Sequence, residues 1–152
     1  MVAIPNKVLV KKFYEEVWNE RKMKAVDAFL SPSHALVDPN AADSLTGPEA
    51  YKAVVSRFMR AFSSLKFEVQ EMVCEGDRVV ASWMISGVHT GEYNGLEPTN
   101  KKISVEGISI HQIANGKIMD TYSVWDTLGL LKKVGGVVTV RKVAVLGKAK
   151  GQ

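Results

Sequence analysis

Gly107-Ile-Ser-Ile-His-Gln-Ile-Ala-Asn-Gly-Lys-Ile-Met-Asp-Thr-Tyr-Ser-Val-Trp-Asp126 is the stretch on which the reading of this chain turns. Two period-2 runs rich in β-branched and aromatic residues flank Ala114-Asn115-Gly116, and Asn-Gly between such runs is a strong local signal for a β-hairpin. Immediately after it, Asp126 or Thr127 is placed to cap a short helix with Leu128, Leu130, Leu131 and Val134 at helical spacing and Gly135-Gly136 as its stop. A strand therefore runs straight into a helix.

Working outward, the chain changes period near residue 63. Before that point, residues 8–20 carry an apolar stripe of Val10, Phe13, Tyr14, Val17 and Trp18, the pattern of an amphipathic helix. Met23 to Phe29 reads as a second helix that must end before Ser31-Pro32, because proline forces its predecessor out of helical geometry. His34 to Val37 reads as a brief extended piece. Gly47-Pro48-Glu49 starts a third helix, with Pro48 in the first turn where its missing N–H costs nothing. Four strands follow: Leu65 to Cys74, Arg78 to Thr90, Ile103 to Ile113 and Lys117 to Trp125. Helices first and antiparallel strands after define an α+β domain.

The composition narrows the function classes. At 152 residues, 46% apolar and 24% charged, the chain fits one domain with a substantial core. Pro5, Asn6 and Lys7 interrupt the start and no run approaches the ~18 apolar residues of a membrane span, so a soluble, cytoplasmic protein is expected. The single cysteine, Cys74, reads as a strand thiol rather than a nucleophile. A formal charge of +4, partly in the C-terminal tail, makes no basic face for nucleic acid. His34, His89 and His111 are isolated, so no metal site is expected; no glycine-rich phosphate cradle or nucleophile elbow is present, so no cofactor is expected either.

The run from Gly107 to Gly135, together with Val88-His-Thr-Gly-Glu-Tyr-Asn-Gly-Leu-Glu-Pro-Thr-Asn-Lys-Lys102, resembles the SnoaL-like polyketide cyclase family. Its pattern is roughly HxGxfxGxxPTGK, then dGKI, ExW[DE]xxD and xxLLxQLG. His89, Gly91, Gly95, Pro98, Thr99, Lys102, Gly116-Lys117-Ile118, Asp126, Leu130-Leu131 and Gly135 match it in order, and Phe13-Tyr-Glu-Glu-Val-Trp-Asn-Glu20 resembles the family's opening. The resemblance implies an NTF2-like cone, a curved antiparallel sheet wrapped around the N-terminal helices, over residues 1–135. It also implies cofactor-free acid/base chemistry on a hydrophobic, carbonyl-containing small molecule, and a homodimer. Residues 136–152 lie beyond it; Val138 to Leu146 reads as an added strand and the basic end as disordered.

One departure bears on the chemistry. The family's acid/base carboxylate aligns with Ser123 and its assisting histidine with Ser109. Serine alone is no general base at neutral pH. His111, two residues from Ser109, is the candidate base of a rearranged site, with Tyr14 on the first helix completing a catalytic set of Tyr14, Ser109, His111 and Ser123. Trp83, Trp125, His89 and Asp126 are the candidate pocket-lining residues, although the two tryptophans also suit the core, His89 a loop anchor and Asp126 a helix cap. His34 and Asp38 fall near the segment that closes the cone mouth and receive no role. Hairpin register decides which of these meet. A two-residue turn pairs His111 with Asp120 and Ser109 with Tyr122; a three-residue loop puts Ser109, His111, Thr121, Ser123 and Trp125 on one face. The second register is favoured. A non-catalytic binding module is the alternative reading, and epoxide opening, which needs an Asp-Arg-Asp set, ranks below both.

Overall fold

The computed structural model describes residues 5–136. Helix α1 (Asn6–Tyr14) continues into a π-helical turn, Glu15–Asn19, and is followed by α2 (Ala25–Phe29), β1 (Leu30–Val37), β2 (Leu45–Thr46) and α3 (Pro48–Ala61). The remainder is β3 (Phe62–Glu75), β4 (Arg78–His89), β5 (Lys102–Ala114), β6 (Lys117–Trp125) and α4 (Thr127–Lys133). One six-stranded sheet has the order β2-β1-β6-β5-β4-β3. The architecture is the expected α+β one, with a correction to the sheet: β1 runs parallel to β6, so the sheet is mixed rather than wholly antiparallel. The expected extended piece at His34 is the C-terminal half of an eight-residue strand. Pro32 is accommodated because the β1–β6 ladder is irregular between Leu30 and Ala35, where a missing N–H removes no ladder bond.

Alternation along the strands sends one set of side chains onto the helices. Val79, Ala81, Trp83 and Ile85 of β4 and Ile103, Val105, Ser109, His111 and Ile113 of β5 are buried, while their neighbours face outward. Phe13, Tyr14, Val17 and Trp18 come down from α1 and the π turn, and Tyr51, Val55 and Ala61 from α3. The π turn is held to the sheet by Asn19, whose side chain donates to the Phe67 carbonyl (3.0 Å) and accepts from the Phe67 N–H (2.8 Å), as a neighbouring strand would. Lys117 reaches back from β6 to the free carbonyls of Asp27 and Ala28, closing the end of α2.

The hairpin corrects the favoured register in its turn but not in its faces. Asn115 and Gly116 both have positive φ (50° and 70°), and Ala114 pairs with Lys117, so the turn has two residues. Ile113 pairs with Ile118, yet Gln112 pairs with Asp120: Met119 is an extra residue bulged out of β6. Beyond the bulge, His111 opposes Thr121, Ser109 opposes Ser123 and Gly107 opposes Trp125. The tight turn and the bulge cancel, and the common face reserved for a three-residue loop results.

Gly107 is needed for close approach. It lies between Trp83 on β4 and Trp125 on β6, and a Cβ there would come within 2.4 Å of the Trp83 ring and 2.8 Å of the Trp125 Cβ. The missing side chain is the space in which the two indoles sit. The strand expected over Val138 to Leu146 lies outside the described residues.

Candidate active site

Between the sheet and the helices α1 and α3 lies a chamber of about 80 Å³. Trp18, Phe58, Phe67, Ile85, Ile103 and Val105 make apolar wall, while Tyr14, Ser109, Thr121 and Ser123 bring hydroxyls to it. A second cavity of about 250 Å³ adjoins it, lined among others by Asn40, Asp43, Arg57, Tyr93 and Asn94; Leu36, Asp38, Val54, Phe58 and Trp125 border both. Chamber and vestibule together fall at the lower end of the ~300–1,000 Å³ range of small-molecule sites.

The polar groups form two connected networks. In the first, the Trp83 indole donates to Ser109 Oγ (2.9 Å), and Ser109 and Ser123 share a 2.7 Å hydrogen bond across the β5–β6 pair. In the second, the Tyr14 hydroxyl meets His111 Nε2 at 2.6 Å, His111 Nδ1 meets Thr121 Oγ1 at 2.9 Å, and Thr121 Oγ1 meets His34 Nε2 at 2.8 Å. His34, His111, Thr121 and Ser109 are all buried, and His34 Nδ1 has no partner among the described residues.

Counting protons orients this second chain. If Tyr14 donated to His111, the series would run on to His34 and strand a buried Nδ1–H, a costly orphan donor. Run the other way, His34 Nε2–H donates to Thr121, Thr121 to His111 Nδ1, and His111 Nε2–H to the Tyr14 oxygen. Every donor of the two imidazoles and of Thr121 is then used, only a lone pair is left over at His34, and the Tyr14 proton is turned toward the chamber, where Ser109 is its neighbour. This orientation requires neutral imidazoles. Burial pushes His111 down to about 3, with the nearby His34 adding to the effect, and burial pushes His34 down to about 4 against the opposing pull of Asp120. Burial also raises Tyr14 well above its usual value, so Tyr14 remains a proton donor.

Of the candidate residues, Tyr14, Ser109, Ser123, Trp83 and Trp125 line the chamber. His111 sits behind Tyr14 and Thr121 with both ring nitrogens engaged. His89 lies at the end of β4, where its Nδ1 accepts from the Thr99 N–H and anchors the loop that follows. Asp126 caps α4 by accepting from the Gly129 N–H at 2.8 Å. Asp38, which received no role, accepts from the Trp125 indole at 2.8 Å and borders both cavities. His34 and Thr121 were also passed over; their contact spans 87 residues and depends on the parallel β1–β6 pairing, which leaves no local trace.

Comparison with known proteins agrees with this architecture. The chain is 32% identical over 125 residues to the aklanonic acid methyl ester cyclase DauD of Streptomyces sp. strain C5, covering 79% of this chain and 76% of that one. It is 28% identical over 120 residues to the nogalonic acid methyl ester cyclase of Streptomyces nogalater, covering 78% and 89%. The structure of TsrD from Streptomyces laurentii superposes with a TM-score of 0.78 at 25% identity, over 90% of this chain and all of that one. The model of the SnoaL-like polyketide cyclases matches residues 8–134, nearly the whole described span, and with the cone, its chamber and these relatives in agreement the chain belongs to the SnoaL-like polyketide cyclase family.

Proposed function

We propose that the protein is a cofactor-free cyclase or isomerase that labilises a proton α to a carbonyl in a hydrophobic, polyketide-type small molecule and closes or rearranges it within the chamber. The observation that carries this reading is an apolar wall with the buried Tyr14 hydroxyl beside it, 2.6 Å from His111 Nε2; burial keeps the hydroxyl protonated, and with His111 as the donor of that bond the Tyr14 proton is left for the substrate. Such a donor stabilises the negative charge that develops on a carbonyl oxygen as the α-proton leaves. Ser109 and Ser123, tied to Trp83, extend the polar floor beside it. His111 acts through Tyr14.

Intramolecular aldol closure conserves mass, which gives a direct test. Incubation of the protein with aklanonic acid methyl ester, the class of substrate named for the relatives, should yield an isomer of unchanged mass on chromatography with mass detection. Serine at the family's carboxylate position supports a second reading, a binding module without turnover. Saturable quenching of Trp83 and Trp125 fluorescence by the ester, without an isomeric product, would favour it.

A homodimer belongs to the same proposal. Ile108 (52% exposed), Ile110, Tyr122 and Val124 form an apolar patch on the outer face of β5 and β6, in register across the hairpin. A contiguous patch of this kind on a sheet suits a second copy of the chain. Sedimentation equilibrium should give twice the monomer mass at micromolar concentration, and Ile110→Asp should give the monomer; a monomeric wild-type chain would count against the dimer.

A further inference from the structure

We propose that Asp38, delivered from the end of β1, is the general base of this chamber, taking over the work of the carboxylate that the family pattern places at Ser123. This inference rests on the proton-abstraction reading above. Among the described residues, Asp38 is the one carboxylate lining the chamber. Its two oxygens are held separately: Oδ2 accepts from the Trp125 indole at 2.8 Å and Oδ1 from the Asn40 N–H at 2.8 Å. A carboxylate oxygen has two lone-pair sites, so each keeps one free. The anchoring fixes the side chain at the border of chamber and vestibule, where a substrate spanning both would pass.

The other acidic groups are placed elsewhere. Asp120 pairs with Gln112 in the ladder, beyond the bulge, and borders a groove on the outer face with Arg78 and Tyr122. Asp126 is committed to the α4 cap. Asp43 lines the vestibule without reaching the chamber. His111 has no free nitrogen and does not line the chamber. A base delivered from β1 and an acid delivered from α1 approach the chamber from different elements, the arrangement needed to take a proton from carbon while a hydrogen bond is given to oxygen.

The step balances without a co-reactant. A free lone pair of Asp38 takes the α-proton, the C–H electron pair becomes the enolate, and Tyr14 donates a hydrogen bond to the enolate oxygen. The enolate carbon then forms the ring bond to a second carbonyl, and Asp38 returns its proton to the resulting alkoxide.

The test uses 5-nitrobenzisoxazole, a flat apolar probe whose elimination needs only a positioned base: the base removes the ring C–H proton, that electron pair forms a nitrile, and the N–O bond breaks to a coloured phenolate. The full-length wild-type chain should accelerate this reaction over solvent. Asp38→Asn, which can still accept from the Trp125 indole, should lower the rate at least ~100-fold with unchanged circular dichroism. In Asp38→Ala, added formate should restore part of the rate, as it would not for a residue with a purely structural role. If the wild type accelerates the reaction and Asp38→Asn retains the rate, Asp38 is not the base and the proton-abstraction reading stands. If the wild type gives no acceleration, the proton-abstraction reading fails, and this inference with it.

Discussion

Lowering the pH from 7 to 5 should destabilise the protein steeply, before most of its carboxylates begin to titrate. The cause is the buried chain His34–Thr121–His111–Tyr14, which exists only with neutral imidazoles. In the unfolded chain both histidines titrate near 6.5, whereas folding holds His111 down at about 3 and His34 at about 4. The sign follows from linkage. Above about pH 6.5 both states carry neutral rings and the full stability is present; below it the unfolded state binds protons that the folded state refuses, so stability falls with pH. For His111 the loss between pH 7 and 5 is roughly 2 kcal/mol, and His34, whose folded value also lies below pH 5, adds a comparable share. Against a total of about 5–15 kcal/mol this is a large fraction. Urea unfolding at pH 7, 6 and 5, followed by tryptophan fluorescence, checks it. His111→Gln should be less stable at pH 7 yet show a flatter pH dependence; an unchanged slope would mean that His111 does not resist protonation.

Tyr14→Phe should cut turnover of the methyl ester sharply. The substitution keeps the ring stacked on Phe67, whose centroid lies 4.3 Å away, and keeps the contact with Phe13. It removes the hydroxyl proposed as donor to the substrate and leaves the His111 Nε2–H buried without an acceptor. Loss of one preorganised donor to a developing oxyanion costs about 10²–10³ in kcat, and the orphaned donor about 1–3 kcal/mol of stability. On the methyl ester, kcat should therefore fall by that factor while KM changes little, because the hydroxyl acts mainly once charge has developed. A Tyr14→Phe enzyme within about threefold of wild type in kcat would remove Tyr14 from the chemistry.

Much of this arrangement was legible from local patterns. Asn115-Gly116 marked the hairpin, alternation marked β4 and β5, and the spacing of Ser109, Ser123 and Trp125 marked the face that lines the chamber. Where the reading missed, the determinant was non-local. Met119 cannot announce itself as a bulge, since a period-2 count has no register for an extra residue; the true turn and the favoured faces were reconciled only by the pairing of Gln112 with Asp120. Strand β1 was shortened because Pro32 argues against a strand, and its parallel partner lies more than 80 residues away. His111 was expected as a base from its proximity to Ser109, but two neighbours, one on α1 and one on β6, occupy its nitrogens. Asp38 has no role in the sequence reading because its place depends on the indole of Trp125, 87 residues away.

On the proposed mechanism the inner chamber, with Tyr14 as its donor, is where a carbonyl group is held. A crystal structure of the protein with aklanonic acid methyl ester tests it most directly. A substrate carbonyl oxygen is expected at hydrogen-bond distance, about 2.5–3.0 Å, from the Tyr14 hydroxyl, with the ring system against Phe67, Trp83 and Trp125. An ester bound only in the vestibule, with the Tyr14 hydroxyl turned to protein partners alone, would contradict it.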